Sequence, residues 1–216
     1  MEAVLHERYR IRMIADPAAE DSDADLMLRF KDGDTEAFNQ LFALHTRAVV
    51  NFAYRFVRNR GMAEELAQDI FLRVYESAAG YRVQAKFTTW LYRIATNVCL
   101  NEIRKPHVRA TLKHDEKNGD DARCMNSQSG GVRDFSSFPD LLLERQAISN
   151  ALSQALWQLP EKQRVAFILN KYQELSYGEV AEIMKISEKA VKSLIHRAKE
   201  TLAEKLKPLL PELIHI

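Results

Sequence analysis

Cysteine is scarce in this 216-residue chain, which carries only Cys99 and Cys124. Neither sits in a C-x-x-C pair or at metal-ligand spacing from a histidine pair, so a disulfide framework and a zinc site are both disfavoured, and a reducing cytoplasm fits best. Net charge is scarce as well: 31 Lys and Arg stand against 30 Asp and Glu. No global polycation advertises nucleic acid, and any basic face has to be local. Long apolar runs are missing, since none approaches the roughly 18 residues that cross a bilayer. The N-terminal stretch, with Glu2, His6, Glu7, Arg8, Arg10 and Arg12, lacks the uninterrupted apolar segment of a signal peptide. A soluble, non-exported protein is expected. No Gly-rich phosphate loop, nucleophile beside a base motif or metal-ligand cluster stands in the chain, which speaks against an enzyme, and no cofactor or metal is expected.

What the chain does have is helical periodicity, with no alternating strand pattern. Met1 to Asp23 show no sustained period and end in an acidic, small-residue stretch, so residues 1–23 read as a disordered leader, in which Met13 is an alternative start. Apolar residues then recur at helical spacing, as in Phe38, Leu41, Phe42, Val49, Phe52, Ala53 and Phe56, up to Lys105. Lys31–Asp34 separates the first two helices, with Asp34 or Thr35 as N-cap. Asn59-Arg60-Gly61 separates the second from a third that runs roughly from Met62 to Ala78 and stops at Gly80. Between Lys105 and Pro139 the aliphatics thin out around Asn126-Ser127-Gln128-Ser129-Gly130-Gly131, the composition of a linker. Periodicity returns at Asp140. The expected fold is all-α: two small helical domains, 24–105 and 140–210, joined by a flexible linker, 106–139.

Tyr177–Ala198 holds two helical patterns joined by a very short turn, a helix-turn-helix. Ala181 is small where the helices cross, and Val180, Met184, Ile186, Val191, Leu194 and Ile195 supply the apolar faces. Ser187 stands as N-cap of the second helix. The turn position often filled by Gly is Lys185, which needs a left-handed backbone. In the second helix a buried stripe of Val191, Leu194, Ile195, Ala198, Leu202 and Leu206 leaves Lys189, Lys192, Ser193, His196, Arg197 and Lys199 outward, side chains that bond phosphates and base edges.

Tyr81–Lys105 interleaves aromatics with bases. Opening a duplex needs cations to hold the strands and flat faces to accept unstacked bases. Phe87, Leu91, Ile94 and Val98 read as core, Trp90 and Tyr92 fit either core or DNA, and His45 and Cys99 read as packing residues.

Three motifs now stand in order: Ala63-Glu64-Glu65-Leu66-Ala67-Gln68-Asp69-Ile70-Phe71-Leu72-Arg73-Val74-Tyr75; Phe87-Thr88-Thr89-Trp90-Leu91-Tyr92-Arg93-Ile94-Ala95-Thr96-Asn97; and Leu159-Pro160-Glu161-Lys162-Gln163-Arg164 with the helix-turn-helix. Together they resemble an extracytoplasmic-function (ECF) sigma factor, with region 2 in the first domain and region 4 in the second. The resemblance implies a transcription initiation factor whose partners are core RNA polymerase, promoter DNA and an anti-sigma protein. It implies that Glu64, Glu65, Gln68, Asp69 and Arg73 dock on the polymerase clamp helices. Arg82, Gln84, Lys86, Trp90, Arg93, Asn97, Asn101 and Arg104 would bind and melt the -10 element, with the loop Arg82–Lys86 capturing a flipped base. Lys189, Lys192, Ser193, His196, Arg197 and Lys199 would read the -35 element. Where family loops often carry Gly-Asp, this chain has Val83-Gln84. The competing reading is a stand-alone dimeric helix-turn-helix regulator.

Overall fold

Capping chemistry sets the helix boundaries. In the computed structural model, which describes residues 17–83, 85–106, 108 and 150–207, every regular element among the described residues is helical. The first half contains α1 (Pro17–Lys31), α2 (Thr35–Val57), α3 (Arg60–Glu76), a 3₁₀ turn (Ala78–Gly80) and α4 (Phe87–Arg104). The second contains α5, described over 150–157, then α6 (Glu161–Lys171), α7 (Tyr177–Met184) and α8 (Glu188–Leu206).

Asp34 is the N-cap of α2. Its carboxylate accepts the Glu36 and Ala37 amides at 3.0 and 3.2 Å and is held by Arg29 at 2.6 Å. The Arg29 hydrogen bond and the Ala37 amide keep its pKa below the ordinary carboxylate value. The break expected at Asn59–Gly61 is shorter than its composition suggested. Arg58 turns the chain in a left-handed conformation (φ 52°), Asn59 caps α3 through the Met62 amide at 2.9 Å, and Arg60 and Gly61 already belong to the helix. At the other end α1 reaches back to Pro17, into the segment 1–23 read as leader. Proline suits a first helical position, because the amide it lacks has no partner there in any case.

Each helix of the first half buries one side. Leu41, Phe52 and Phe56 of α2, Ile70 and Val74 of α3 and Leu91 and Ala95 of α4 meet in the core. Phe52 lies 5.0 Å from the Phe56 ring and 5.1 Å from that of Tyr92. In the second half Ile168, Val180, Val191 and Ile195 join α6, α7 and α8, while Leu156 and Leu159 pack on Ala198 and Leu202.

Two helical domains are present, and they touch. The apolar cluster of the first half continues into Val165, Leu169 and Val180 of the second. The Arg55 guanidinium lies 3.9 Å over the Tyr172 ring, and that of Arg164 lies 4.2 Å over Trp157 and 5.9 Å from Phe56. Val108, in the stretch read as linker, is buried. Residues 1–16, 107, 109–149 and 208–216, and Gln84, lie outside the described residues.

Lys185 adopts the left-handed conformation the turn requires (φ 54°, ψ 47°), and the Ile186 amide closes the end of α7 on the Ala181 carbonyl at 3.1 Å. A left-handed backbone costs an L-residue about 1–2 kcal/mol, offset in part by glycine's greater freedom when unfolded. Lys185→Gly is therefore expected to stabilise the second domain by about 0.5–1 kcal/mol, read as a shift in the urea unfolding midpoint.

Candidate nucleic-acid and polymerase interfaces

Helix α4 is amphipathic, and its two sides separate the candidate residues. Phe87, Leu91, Ala95, Val98 and Cys99 point into the core. Trp90, Arg93, Asn97, Asn101 and Arg104, spaced three or four apart, form the opposite stripe. Tyr92 falls on the buried side against Phe52, and burial pushes its phenol well above the ordinary tyrosine range. It is a core residue. Trp90 is half-buried: its ring packs edge-on to Tyr81 at 5.1 Å and lies 5.9 Å from Phe87, while its open side lines a small cavity of about 110 Å³ with Arg82, Ala85, Arg93 and Glu182. The loop before α4 is pinned where Lys31 donates to the Tyr81 carbonyl at 3.1 Å. Arg82 and Lys86 are exposed on this loop.

His45 is a packing residue, its Nε2 3.0 Å from the Asp23 carboxylate and its ring 5.3 Å from Phe87. Cys99 is fully buried, and burial pushes its thiol pKa up.

In the second half two N-caps frame the helix-turn-helix. Ser187 accepts the Ala190 amide at 3.3 Å. Ser176 and Glu179 form a reciprocal capping box on α7; the pattern Ser-x-x-Glu was present in the sequence and not singled out. Val191, Ile195, Ala198 and Leu202 are buried, and Leu194 and Leu206 partly so. Lys189, Lys192, Ser193, His196, Arg197 and Lys199 are all exposed along one side of α8. The N-terminus of a helix adds partial positive charge toward a phosphate backbone.

On α3, Glu64, Glu65, Gln68, Asp69 and Arg73 are all exposed. Periodicity did not single out the apolar residues among them: Leu72 is 56% and Tyr75 50% exposed, in helical register with Glu64 and Gln68. A groove of about 690 Å³ between α2 and α3 is lined by Phe42, Arg47, Val50, Glu64, Gln68 and Phe71. Solvent-facing Leu72 and Tyr75 beside charged neighbours are the composition of a protein-binding surface.

The residues expected to handle DNA in the first half do not stand alone. Arg93 lies 3.6 Å from Glu182, the Thr89 hydroxyl donates to Glu179 at 3.3 Å, and Arg104 donates to Glu161 at 2.6 Å. None of these three carboxylates was a candidate from periodicity, because they belong to the other domain.

Residues 41–109 match the Sigma-70 region 2 family, and residues 149–202 match Sigma-70, region 4. Over 181 residues, 83% of this chain and 94% of the relative, the sequence is 34% identical to the ECF RNA polymerase sigma factor SigW of Bacillus subtilis (strain 168). The chain belongs to the ECF sigma-70 factors. It is also 31% identical to the ECF RNA polymerase sigma-E factor of Escherichia coli (strain K12) over 189 residues, 88% of this chain and 96% of that one. Among solved structures it resembles the sigma factor RpoE in complex with the anti-sigma factor NepR from Bartonella quintana, with a TM-score of 0.57 and 25% identity over 79% of this chain and 96% of that one. The fold is shared with CnrH, solved in complex with the cytosolic domain of CnrY, at a TM-score of 0.62 and 22% identity over 87% of this chain and 98% of that one.

As an alternative sigma factor the protein directs promoter-specific transcription, and the stand-alone dimeric regulator is not favoured. Region 2 spans most of α2, all of α3 and α4, and region 4 runs from α5 through most of α8. No helix among the described residues is long and apolar enough to cross a membrane. Because Tyr92 packs inward while Trp90 is half-open, their alanine variants should diverge. Tyr92→Ala is expected to cost about 3–5 kcal/mol of stability in urea unfolding, and Tyr92→Phe to leave stability and transcription near wild type.

Proposed function

We propose that this ECF sigma factor divides promoter recognition between the open stripe of α4 and the outward side of α8, with α3 as its polymerase dock. The observation that carries the reading is the segregation of side chains: Trp90, Arg93, Asn97, Asn101 and Arg104 share one side of α4, and all six -35 candidates share one side of α8.

On α4, with Arg82, Lys86 and the adjoining Gln84 in the preceding loop, the cations hold the phosphates of parting strands and the open side of Trp90 receives an unstacked base, a contact worth about 1–3 kcal/mol. On α8, Lys189, Lys192 and Lys199 hold the backbone while Ser193, His196 and Arg197 reach base edges in the major groove. On α3, Glu64, Glu65, Gln68, Asp69 and Arg73 form a polar rim around Leu72 and Tyr75, which seat on the clamp helices of the polymerase largest subunit.

The domain assignment follows: region 2, within 24–105, docks and melts, region 4, within 140–210, reads the -35 element, and the stretch 106–139 links them. The factor contributes no bond chemistry, which the polymerase supplies, and it works in the cytoplasm. An anti-sigma protein is its expected inhibitor, a reading supported by the RpoE–NepR complex among its structural relatives.

The test is to mix the protein with sigma-free core polymerase and genomic promoter fragments. Specific run-off transcripts that neither component makes alone are expected; no transcripts, together with tight duplex binding by the protein by itself, would overturn the reading. With a promoter in hand, Arg197→Ala is expected to weaken closed-complex affinity by about 1–3 kcal/mol. Trp90→Ala should leave closed-complex affinity close to wild type and depress permanganate reactivity of the opened bases. Equal effects of the two variants on closed-complex affinity would count against this division.

A further inference from the structure

Helix α1 precedes the segment that matches region 2, which begins at residue 41. It is seated as firmly as the helices inside that segment: Leu26, Met27 and Phe30 are buried, and the Phe30 ring lies 4.8 Å from Phe38 of α2 and 4.9 Å from Tyr75 of α3. Its last turn is fixed to the start of α2 by the Arg29–Asp34 ion pair. Asp23, Met27 and Lys31 follow one another at intervals of four and so share one side of α1. Met27 is buried. The two charged residues, about 12 Å apart at ~1.5 Å per residue, each make a polar contact beyond α1.

Both contacts reach the ends of the loop that carries Arg82 and Lys86. At the entry, Tyr81 is held in three ways. Its ring is buried against Phe87 and Trp90, its amide donates to the Ala78 carbonyl at 3.0 Å, and its carbonyl accepts from Lys31 at 3.1 Å. At the exit the chain enters α4 at Phe87. Lys86 stands at the N-cap position there, and lysine has no acceptor to offer the open amides.

Packing therefore fixes the start of α4. Phe87 is buried against Tyr81, Trp90 and the His45 ring, which lies 5.3 Å away. His45 Nε2 in turn lies 3.0 Å from the Asp23 carboxylate, with the two side chains only 15% and 17% exposed. Asp23 also faces Tyr81, whose phenol is pushed up first by burial and then by that charge. Between the two held ends, Arg82, Val83 and Lys86 are exposed. A loop that has to close on a base loses affinity to every other arrangement it visits, so fixed ends raise the fraction already shaped for capture.

We infer that α1 is a positioning element for base capture, with Lys31 and the Asp23–His45 pair holding the two ends of the loop before α4. The inference rests on the assignment of that loop and of Trp90 to the -10 element. Lys31 acts through the Tyr81 carbonyl and touches no nucleotide.

The test uses the full chain assembled with core polymerase, a promoter found by run-off transcription, and versions of its -10 single strand that differ only at the flipped base. Lys31→Met keeps the stem and removes the donor, and Lys31→Arg restores one. Lys31→Met is expected to reduce the preference for the cognate base about threefold and to depress permanganate reactivity, with the urea midpoint, closed-complex affinity and salt slope of binding at their wild-type values. Lys31→Arg should return the preference to wild type, and Asp23→Ala should lower it as Lys31→Met does. An unchanged preference in Lys31→Met and Asp23→Ala, with Trp90→Ala still impairing opening, would overturn the inference and leave the -10 assignment standing. A salt slope lowered by about one with the preference unchanged would sink it too, since Lys31 would then be a phosphate contact. If Trp90→Ala leaves both preference and opening at wild type, the -10 assignment falls and the inference falls with it.

Discussion

The seating of α4 against α2 and α3 governs the rest of region 2. A helix whose residues advance by 100° each cannot bury Leu91, Ala95, Val98 and Cys99 without turning Trp90, Arg93, Asn97 and Asn101 the other way. The apolar contact is what the folding energy pays for, and the polar stripe is its geometric consequence. Phe52 sits at the centre of the arrangement, with no exposed surface and aromatic neighbours on two elements. A change there would rotate or loosen α4 and displace every residue on its open side. The loop that precedes α4 is positioned by the same body, through Tyr81 packed edge-on against Trp90 and tied by its carbonyl to Lys31 of α1.

The seam between the domains adds buried arginines to the apolar packing that runs across it. Arg55 and Arg164 are largely buried, and their charges face aromatic rings and backbone carbonyls: Arg55 bonds the Asn51 carbonyl at 2.8 Å, and Arg164 the Trp157 carbonyl at 3.2 Å. Burial brings the Arg164 pKa down to about 10, the mark of a guanidinium held in a poorly solvating place. Permanent interfaces are apolar, while contacts made to separate are more polar. This seam combines the two: the apolar cluster of region 2 continues into Val165, Leu169 and Val180, while arginines over rings, with carboxylates at the edge, add a polar part. The arginines also give the seam orientation, since a guanidinium stacks on a ring in few ways.

Region 4 shows how a local cost is absorbed. Lys185 takes a conformation that glycine would adopt freely, and the turn is held by its surroundings: the Ile186 amide closing α7, Ser187 capping α8 and the Ser176–Glu179 capping box at the start of α7. The result is a short, rigid connection that sets α7 and α8 at a fixed angle and presents the basic side of α8 to solvent. Glu179 serves both structures, capping α7 at its own end and reaching Thr89 of region 2 with the same carboxylate.

Periodicity and capping residues were enough to read the helices of both domains, the helix-turn-helix, the left-handed Lys185 and the outward side of α8, because each depends on residues within one or two turns of one another. The first half was equally legible wherever burial decides the outcome, as at Leu91 and Val98. Trp90 and Tyr92 were not separable from the letters, since both are amphipathic aromatics near the edge of the same stripe; only the position of Phe52, contributed by another helix, drew Tyr92 inward and left Trp90 at the rim. The break at Arg58 was shorter than read because a left-handed non-glycine residue leaves no compositional trace. Glu161, Glu179 and Glu182 were invisible as partners of Arg104, Thr89 and Arg93, because no local pattern records a contact between residues 57 to 90 positions apart. What a helix buries is written along its own few turns, whereas what covers its open side is decided by where the tertiary fold places another domain.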